Sequence, residues 1–122
     1  MGQCVAVVGT GYWGRNHVRT WAALKDENVI ERLIVCDLDE NRARELADEF
    51  NCEWHTDAFT LKDTFGITAA SIATPTPLHA PLAIALLEQG VDVLVEKGAD
   101  ANAKKHGGNT AVIIASEMGH TE

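Results

Sequence analysis

Short apolar runs alternate along this chain with segments of helical spacing, and that alternation predicts the fold. Cys4-Val5-Ala6-Val7-Val8 is an apolar, β-branched run ending at Gly9, and beyond Gly14 the apolar positions become Val18, Trp21 and Ala22, one face of a helix. Leu33-Ile34-Val35-Cys36 repeats the strand signal. Ala43, Leu46, Ala47 and Phe50 then follow at i, i+3, i+4 and i+7 with charges between them, an amphipathic helix. A short strand is predicted at Glu53-Trp54-His55 and a small helix near residues 59–64. Ala69-Ala70-Ser71-Ile72-Ala73 is a further buried strand, stopped by Pro75 and Pro77. Pro81 opens an almost wholly apolar helix over 82–88 that Gly90 closes, and residues 91–95 form the next strand. Strands that read as continuous apolar runs between helices imply a parallel sheet covered on both faces, so the expected class is α/β, a doubly wound parallel sheet of about five strands.

The stretch VLVEKGADANAK, residues 93–104, supports two readings. One is a strand running out to a charged tip at Glu96-Lys97, and the other is a helix ending at Gly98. The strand is preferred, because no helix has room to form after Gly90 and β-branched Val91, Val93 and Val95 favour extended backbone.

Composition narrows the function classes. A chain of 122 residues is read as one compact domain. Cys4, Cys36 and Cys52 are odd in number, share no close spacing and sit in apolar stretches, which suggests neither a disulfide framework nor a metal site and fits a reducing cytoplasm. No apolar segment has the length of a membrane span, so a soluble protein is expected. The net charge of -8 argues against nucleic acid as a partner, because phosphate-backbone binding needs clustered Lys and Arg. Any phosphate must then be held locally, by backbone.

The loop after the first strand offers such a place. Gly9-Thr10-Gly11-Tyr12-Trp13-Gly14 is G-x-G-x-x-G between a predicted strand and a predicted helix, and Asp37 ends the second strand 23 residues after Gly14. In this context Gly9 permits the tight turn, Gly11 lets backbone approach a pyrophosphate, and Gly14 lets helix and strand pack closely. The helix N-terminus then faces the anion, and the Asp37 carboxylate accepts hydrogen bonds from the adenosine ribose. That carboxylate disfavours the extra 2'-phosphate of NADP, and Leu38 adds no compensating charge, so NAD is the expected cofactor; Arg42 is the one nearby cation that opposes the argument.

Residues 1–97 resemble the nucleotide-binding half of the Gfo/Idh/MocA oxidoreductases. The resemblance rests on VAVVGTGYWGRNH, VCDLDENRARELA, SIATPTPLHAPLAIALLEQG and VDVLVEK, in the family's order and spacing. It implies a Rossmann-like domain in which Ala73, Thr74, Pro75 and His79 border the cofactor. Glu96 and Lys97 would be the first two residues of a Glu-Lys-Pro motif beside the nicotinamide, with Lys97 as the functional lysine in hydride transfer from a sugar-type secondary alcohol. Outside that resemblance, His79 near a helix start reads as a cap and Lys97 after a strand as surface charge.

Two features depart from the family pattern. Gly98 stands where proline is expected, which loosens the backbone presenting Lys97. The family's later β-sheet domain, which supplies substrate contacts, has no counterpart in this sequence. Residues 98–122 instead resemble part of an ankyrin repeat, with a turn over 98–104 and a helix opened by Asn109-Thr110-Ala111 and closed by Gly119-His120. Ala111, Ile114, Ala115 and Met118 would form an apolar stripe docking that helix on the sheet. Leu86 to Asp92 and Leu94 to Asp100 also share the form L-x-E-x-G-x-D, which suits either a recombined junction or coincidence. Three functions therefore stay open: the NAD-binding domain of an oxidoreductase inactive without its substrate domain, a non-catalytic module with a protein partner at the ankyrin-like tail, and a chimeric scaffold.

Overall fold

The computed structural model describes residues 2–96 and 112–115. Its elements are β1 (Cys4–Val8), α1 (Tyr12–Asp26), β2 (Arg32–Cys36), α2 (Glu40–Phe50), β3 (Glu53–His55), α3 (Leu61–Phe65), β4 (Ala69–Ile72), α4 (His79–Glu88), β5 (Asp92–Glu96) and β6 (Val112–Ala115). Single 3-10 turns, Ala58–Thr60 and Thr76–Leu78, lead into α3 and α4. Five strands, β3-β2-β1-β4-β5, pair in parallel, and β6 is added antiparallel beside β5.

The apolar runs are strands because they are covered on both faces. Alternate residues of β1 point to opposite sides: Cys4, Ala6 and Val8 pack with Leu61, Leu82 and Leu86 of α3 and α4, while Val5 and Val7 pack with Val18, Ala22, Ala43 and Leu46 of α1 and α2. Each central strand thus belongs to two cores, which is why its sequence shows no polar alternation. α2 is capped by Asp39, whose side chain accepts from the Arg42 N–H, and it ends at Asn51 in the left-handed region with φ 56°. No helix among the described residues is long and apolar enough to cross a membrane.

Two expectations need correction. α4 begins at His79 and not at residue 82, so Pro81 lies inside its first turn, where the missing N–H has no intrahelical acceptor to serve. In the tail, Val112–Ala115 is a strand and not part of a helix. Val112, Ile113 and Ile114 are all β-branched, and the edge of β5 offers them an unpaired row of backbone donors and acceptors. The helical stripe through Ile114 and Ala115 therefore does not form; Ala111 and Met118, like the ankyrin-like turn over 98–104, lie outside the described residues. Residues 93–96 are strand, as preferred, whereas Lys97 and Gly98 lie outside the described residues.

Candidate functional site

Parallel pairing puts the C-terminal ends of β1 to β5 on one edge of the sheet. β1 lies between β2 and β4, and the helices that follow β1 and β4 pack on opposite faces, so the chain diverges at this edge and leaves a crevice. The crevice is a cleft of about 780 Å³. Gly9, Thr10, Gly11, Tyr12 and Trp13 line it after β1, Asp37 and Leu38 after β2, and Ala73, Thr74 and Pro75 after β4.

Its three glycines differ in what requires them. Gly9 has φ +104°, and a Cβ there would lie 2.8 Å from the Ala73 carbonyl carbon and oxygen. Its N–H donates to the Cys36 carbonyl at 2.8 Å, so β1, β2 and β4 are tied together at this turn. A Cβ at Gly14 would lie 1.8 Å from the Gly9 carbonyl oxygen, so α1 starts in direct contact with the loop. At Gly11 a Cβ would meet nothing within 4 Å, and φ there is -72°, open to any residue. Among the described residues, no neighbour requires Gly11 to be glycine.

The start of α1 is electrostatically unbalanced. Its N-cap, Gly11, has no side chain to cap it, and its first turn has no acidic residue, in contrast to α2 with Asp39 and Glu40. The positive end of its dipole is left facing the glycine loop, an arrangement suited to an anion.

Asp37 crosses from β2 to meet that loop. Its Oδ2 accepts from the Thr10 N–H at 2.9 Å and from the Thr10 hydroxyl at 2.5 Å, and its Oδ1 accepts from the Asp39 N–H at 2.8 Å. Beside it, burial and then the charges of Asp37 and Asp57 push the Cys36 thiol up to about 12. This end of the cleft therefore has a local negative field, with Arg42 on the lining as an opposing cation.

Two polar atoms point to a polar occupant. Trp13 Nε1 and Thr74 Oγ1 are buried without a hydrogen-bond partner among the described residues, and both side chains belong to the cleft lining. Such groups are rarely left unpaired, because burying a donor unsatisfied costs about 1–3 kcal/mol. The Thr74 carbonyl, by contrast, is held: it accepts from His79 Nε2 at 2.6 Å, which puts that ring proton on Nε2.

The structure thus brings Gly9, Thr10, Gly11, Tyr12, Trp13, Asp37, Ala73, Thr74 and Pro75 to one cleft. Gly14 and His79 are not on its lining and instead brace it from behind. Glu96 ends β5 at the same edge of the sheet, and Lys97 lies outside the described residues. Sequence reasoning missed the wall formed by Thr56, Asp57, Ala58 and Phe59, together with Leu78, Pro81 and Leu82. The signal for residues 56–59 was present: they directly follow the predicted strand Glu53-Trp54-His55, and ligands of open α/β sheets bind beyond strand C-termini.

Comparison with known proteins agrees with this geometry. The family model described as "Oxidoreductase family, NAD-binding Rossmann fold" matches residues 4–105, which takes in the first eight residues of the segment read as ankyrin-like and gives that reading no support. Inositol 2-dehydrogenase 1 of Saccharopolyspora erythraea is 38% identical over 102 residues, covering 81% of this chain and 29% of its own length. 2,7-anhydro-N-acetylneuraminate hydratase of Mediterraneibacter gnavus is 36% identical over 92 residues, covering 75% of this chain and 23% of its own. A levoglucosan dehydrogenase solved in complex with NADH and levoglucosan superposes with a TM-score of 0.70 at 27% identity, covering 82% of this chain and 29% of the other. The chain thus spans less than a third of the length of these proteins. Through the glycine cleft at its sheet switch point and the match over most of its length, the chain belongs to the Gfo/Idh/MocA oxidoreductase family, whose NAD-binding Rossmann fold it carries.

Proposed function

We propose that this chain holds the cofactor for a dehydrogenase that moves hydride between NAD and a secondary alcohol of a sugar-type substrate. The observation that carries the reading is Gly11, a position with open space around it and ordinary backbone angles. A side chain there would meet no described residue and would obstruct what enters the cleft.

In this reading the loop Gly9-Thr10-Gly11-Tyr12-Trp13 and the uncapped start of α1 receive the pyrophosphate, with Gly14 maintaining their close packing. Asp37 accepts from the adenosine ribose, and its charge disfavours a 2'-phosphate, so NAD is preferred to NADP. The unpaired Trp13 Nε1 and Thr74 Oγ1 fit a ligand rich in hydroxyl and phosphoryl oxygens. Ala73, Thr74 and Pro75 border the nicotinamide end, and His79 acts on that border through the Thr74 carbonyl. The bound nicotinamide supplies the hydride-accepting ring. Family resemblance puts Glu96 and Lys97 beside it, with Lys97 as the functional lysine.

Calorimetric titration of the chain with NAD, NADH and NADP tests the reading. Binding of NAD and NADH with weaker NADP is expected, and Gly11→Val should abolish it; equal affinity for NAD and NADP would refute the role of Asp37. The hydratase among the relatives favours one second reading, in which the whole protein adds or removes water on a sugar-type substrate. Accumulation of NADH in step with product separates the two.

A further inference from the structure

We propose that Thr10 is a specificity-determining residue that acts through Asp37: its hydroxyl locks the carboxylate in one orientation and makes the pair an acceptor for ribose hydroxyls and not for a phosphate. The inference rests on the proposed placing of the adenosine ribose at Asp37.

A carboxylate has about four lone-pair positions, two on each oxygen. Both positions on Asp37 Oδ2 are taken by Thr10, one by its N–H at 2.9 Å and one by its hydroxyl at 2.5 Å. Oδ1 accepts from the Asp39 N–H at 2.8 Å, which leaves one position on that oxygen open among the described residues. The carboxylate is therefore held at both ends, although its terminal torsion is by nature broad and two-fold. The hydroxyl contact lies within the range of charge-assisted O–H···O bonds.

Holding Asp37 also fixes what Thr10 can offer. A threonine hydroxyl has one proton, and here it is committed to the carboxylate, so only oxygen lone pairs remain for a ligand. Thr10 and Asp37 both line the cleft. Together they present acceptors: a ribose hydroxyl donates to them, whereas a 2'-phosphate finds no donor in this pair and meets its fixed negative charge, with Arg42 on the lining as the opposing cation. The backbone N–H contact survives any substitution except proline, so the hydroxyl is the part of this lock that the side chain at position 10 controls.

The test measures NAD and NADP dissociation constants by calorimetry on the 122-residue chain, in wild type, Thr10→Val, Thr10→Ser, Asp37→Asn and the Thr10→Val/Asp37→Asn double variant. Thr10→Val keeps the shape and removes the donor; it should weaken NAD by about tenfold, the lower end of the scale of one hydrogen bond to a charged group, while changing NADP by less than about twofold. Thr10→Ser should restore the wild-type NAD to NADP ratio. In the Asp37→Asn background, Thr10→Val should leave the ratio within about twofold, because a residue acting through another has no effect once that partner is changed.

A Thr10→Val chain with the wild-type ratio overturns the proposal, as does a serine variant that loses the ratio or a valine effect of equal size in the Asp37→Asn background. If Thr10→Val shows no cooperative melt, Thr10→Ala is judged by the same ratio. The underlying reading fails separately, and this proposal with it, if the wild-type chain binds neither cofactor or if Asp37→Asn leaves the ratio unchanged.

Discussion

At Gly14 a methyl group would lie 1.8 Å from the Gly9 carbonyl oxygen, whereas at Gly11 it would meet nothing within 4 Å. Alanine normally stabilises a helix relative to glycine by about 1 kcal/mol, yet Gly14→Ala forces α1 away from the loop and should cost about 3 kcal/mol or more. Gly11→Ala should change stability by less than about 1 kcal/mol, the scale of an N-cap substitution, while weakening the dinucleotide. Urea unfolding and calorimetry on the two variants check this pair: loss of stability at 14, loss of ligand at 11. The Cys36 thiol, raised to about 12 by burial and by Asp37 and Asp57, is protonated near neutral pH. Native protein should therefore leave Cys36 unalkylated by iodoacetamide at pH 8 until denaturant opens the cleft, a result that mass spectrometry reads directly.

Between elements, the β2–β3 edge is joined by a two-pronged ion pair. Arg32 Nε donates to Glu53 Oε2 at 2.9 Å and Nη2 donates to Oε1 at 2.6 Å, and the Arg32 guanidinium also lies 5.7 Å from the centre of the Phe65 ring. The hydrogen bond from Arg32 holds the Glu53 carboxyl below its ordinary 4.5, with burial opposing. A depressed folded-state pKa contributes stability that is present above the unfolded value and is lost as pH falls through the folded value. Both side chains are more than 40% exposed, so the contribution is held to about 1 kcal/mol or less. Glu53→Gln should thus be slightly less stable than wild type at pH 7, and the difference should shrink as pH falls from the ordinary carboxylate range through the lowered folded-state pKa of Glu53. Denaturant melts across that range measure it; a constant difference would mean that packing, not charge, carries the pair.

For the molecule as a whole, cofactor binding and stability are one equilibrium. NADH at about a hundred times its dissociation constant should raise the unfolding free energy by about 2.7 kcal/mol, seen as a higher melting temperature that Gly11→Val removes. Turnover is a different matter. Asp37, the glycine loop and residues 73–75 line the cleft together with residues 56–59, and the 122-residue polypeptide spans less than a third of the dehydrogenases it matches. Orienting a reacting alcohol against the nicotinamide is worth several kcal/mol of barrier, so this polypeptide is expected to bind NAD yet to produce no NADH from polyols or sugars. Steady absorbance growth at 340 nm that disappears in Lys97→Ala would overturn that expectation.

By itself the sequence determined what depends on local periodicity and on residue type. Apolar runs alternating with i, i+3, i+4 spacing sufficed for a parallel α/β sheet, because burial on both faces writes itself directly into strand composition. The G-x-G-x-x-G spacing and Asp37 located the cleft, since a turn needing positive φ at Gly9 admits few residues. The start of α4 was read late because proline marks the first turn of a helix without saying which of its positions it fills. The tail was read as a helix because apolar spacing in a short segment does not specify whether a free sheet edge is available to pair with it. Only the tertiary structure decided which glycines the packing requires, Gly9 and Gly14, and which it leaves open, Gly11, as that depends on what lies across the turn. It alone supplied the wall at residues 56–59 and the Thr10–Asp37 lock, made by groups 27 residues apart. Such contacts follow from strand register and from the packing of helices on the sheet, and a local pattern carries no record of which distant residue will face it.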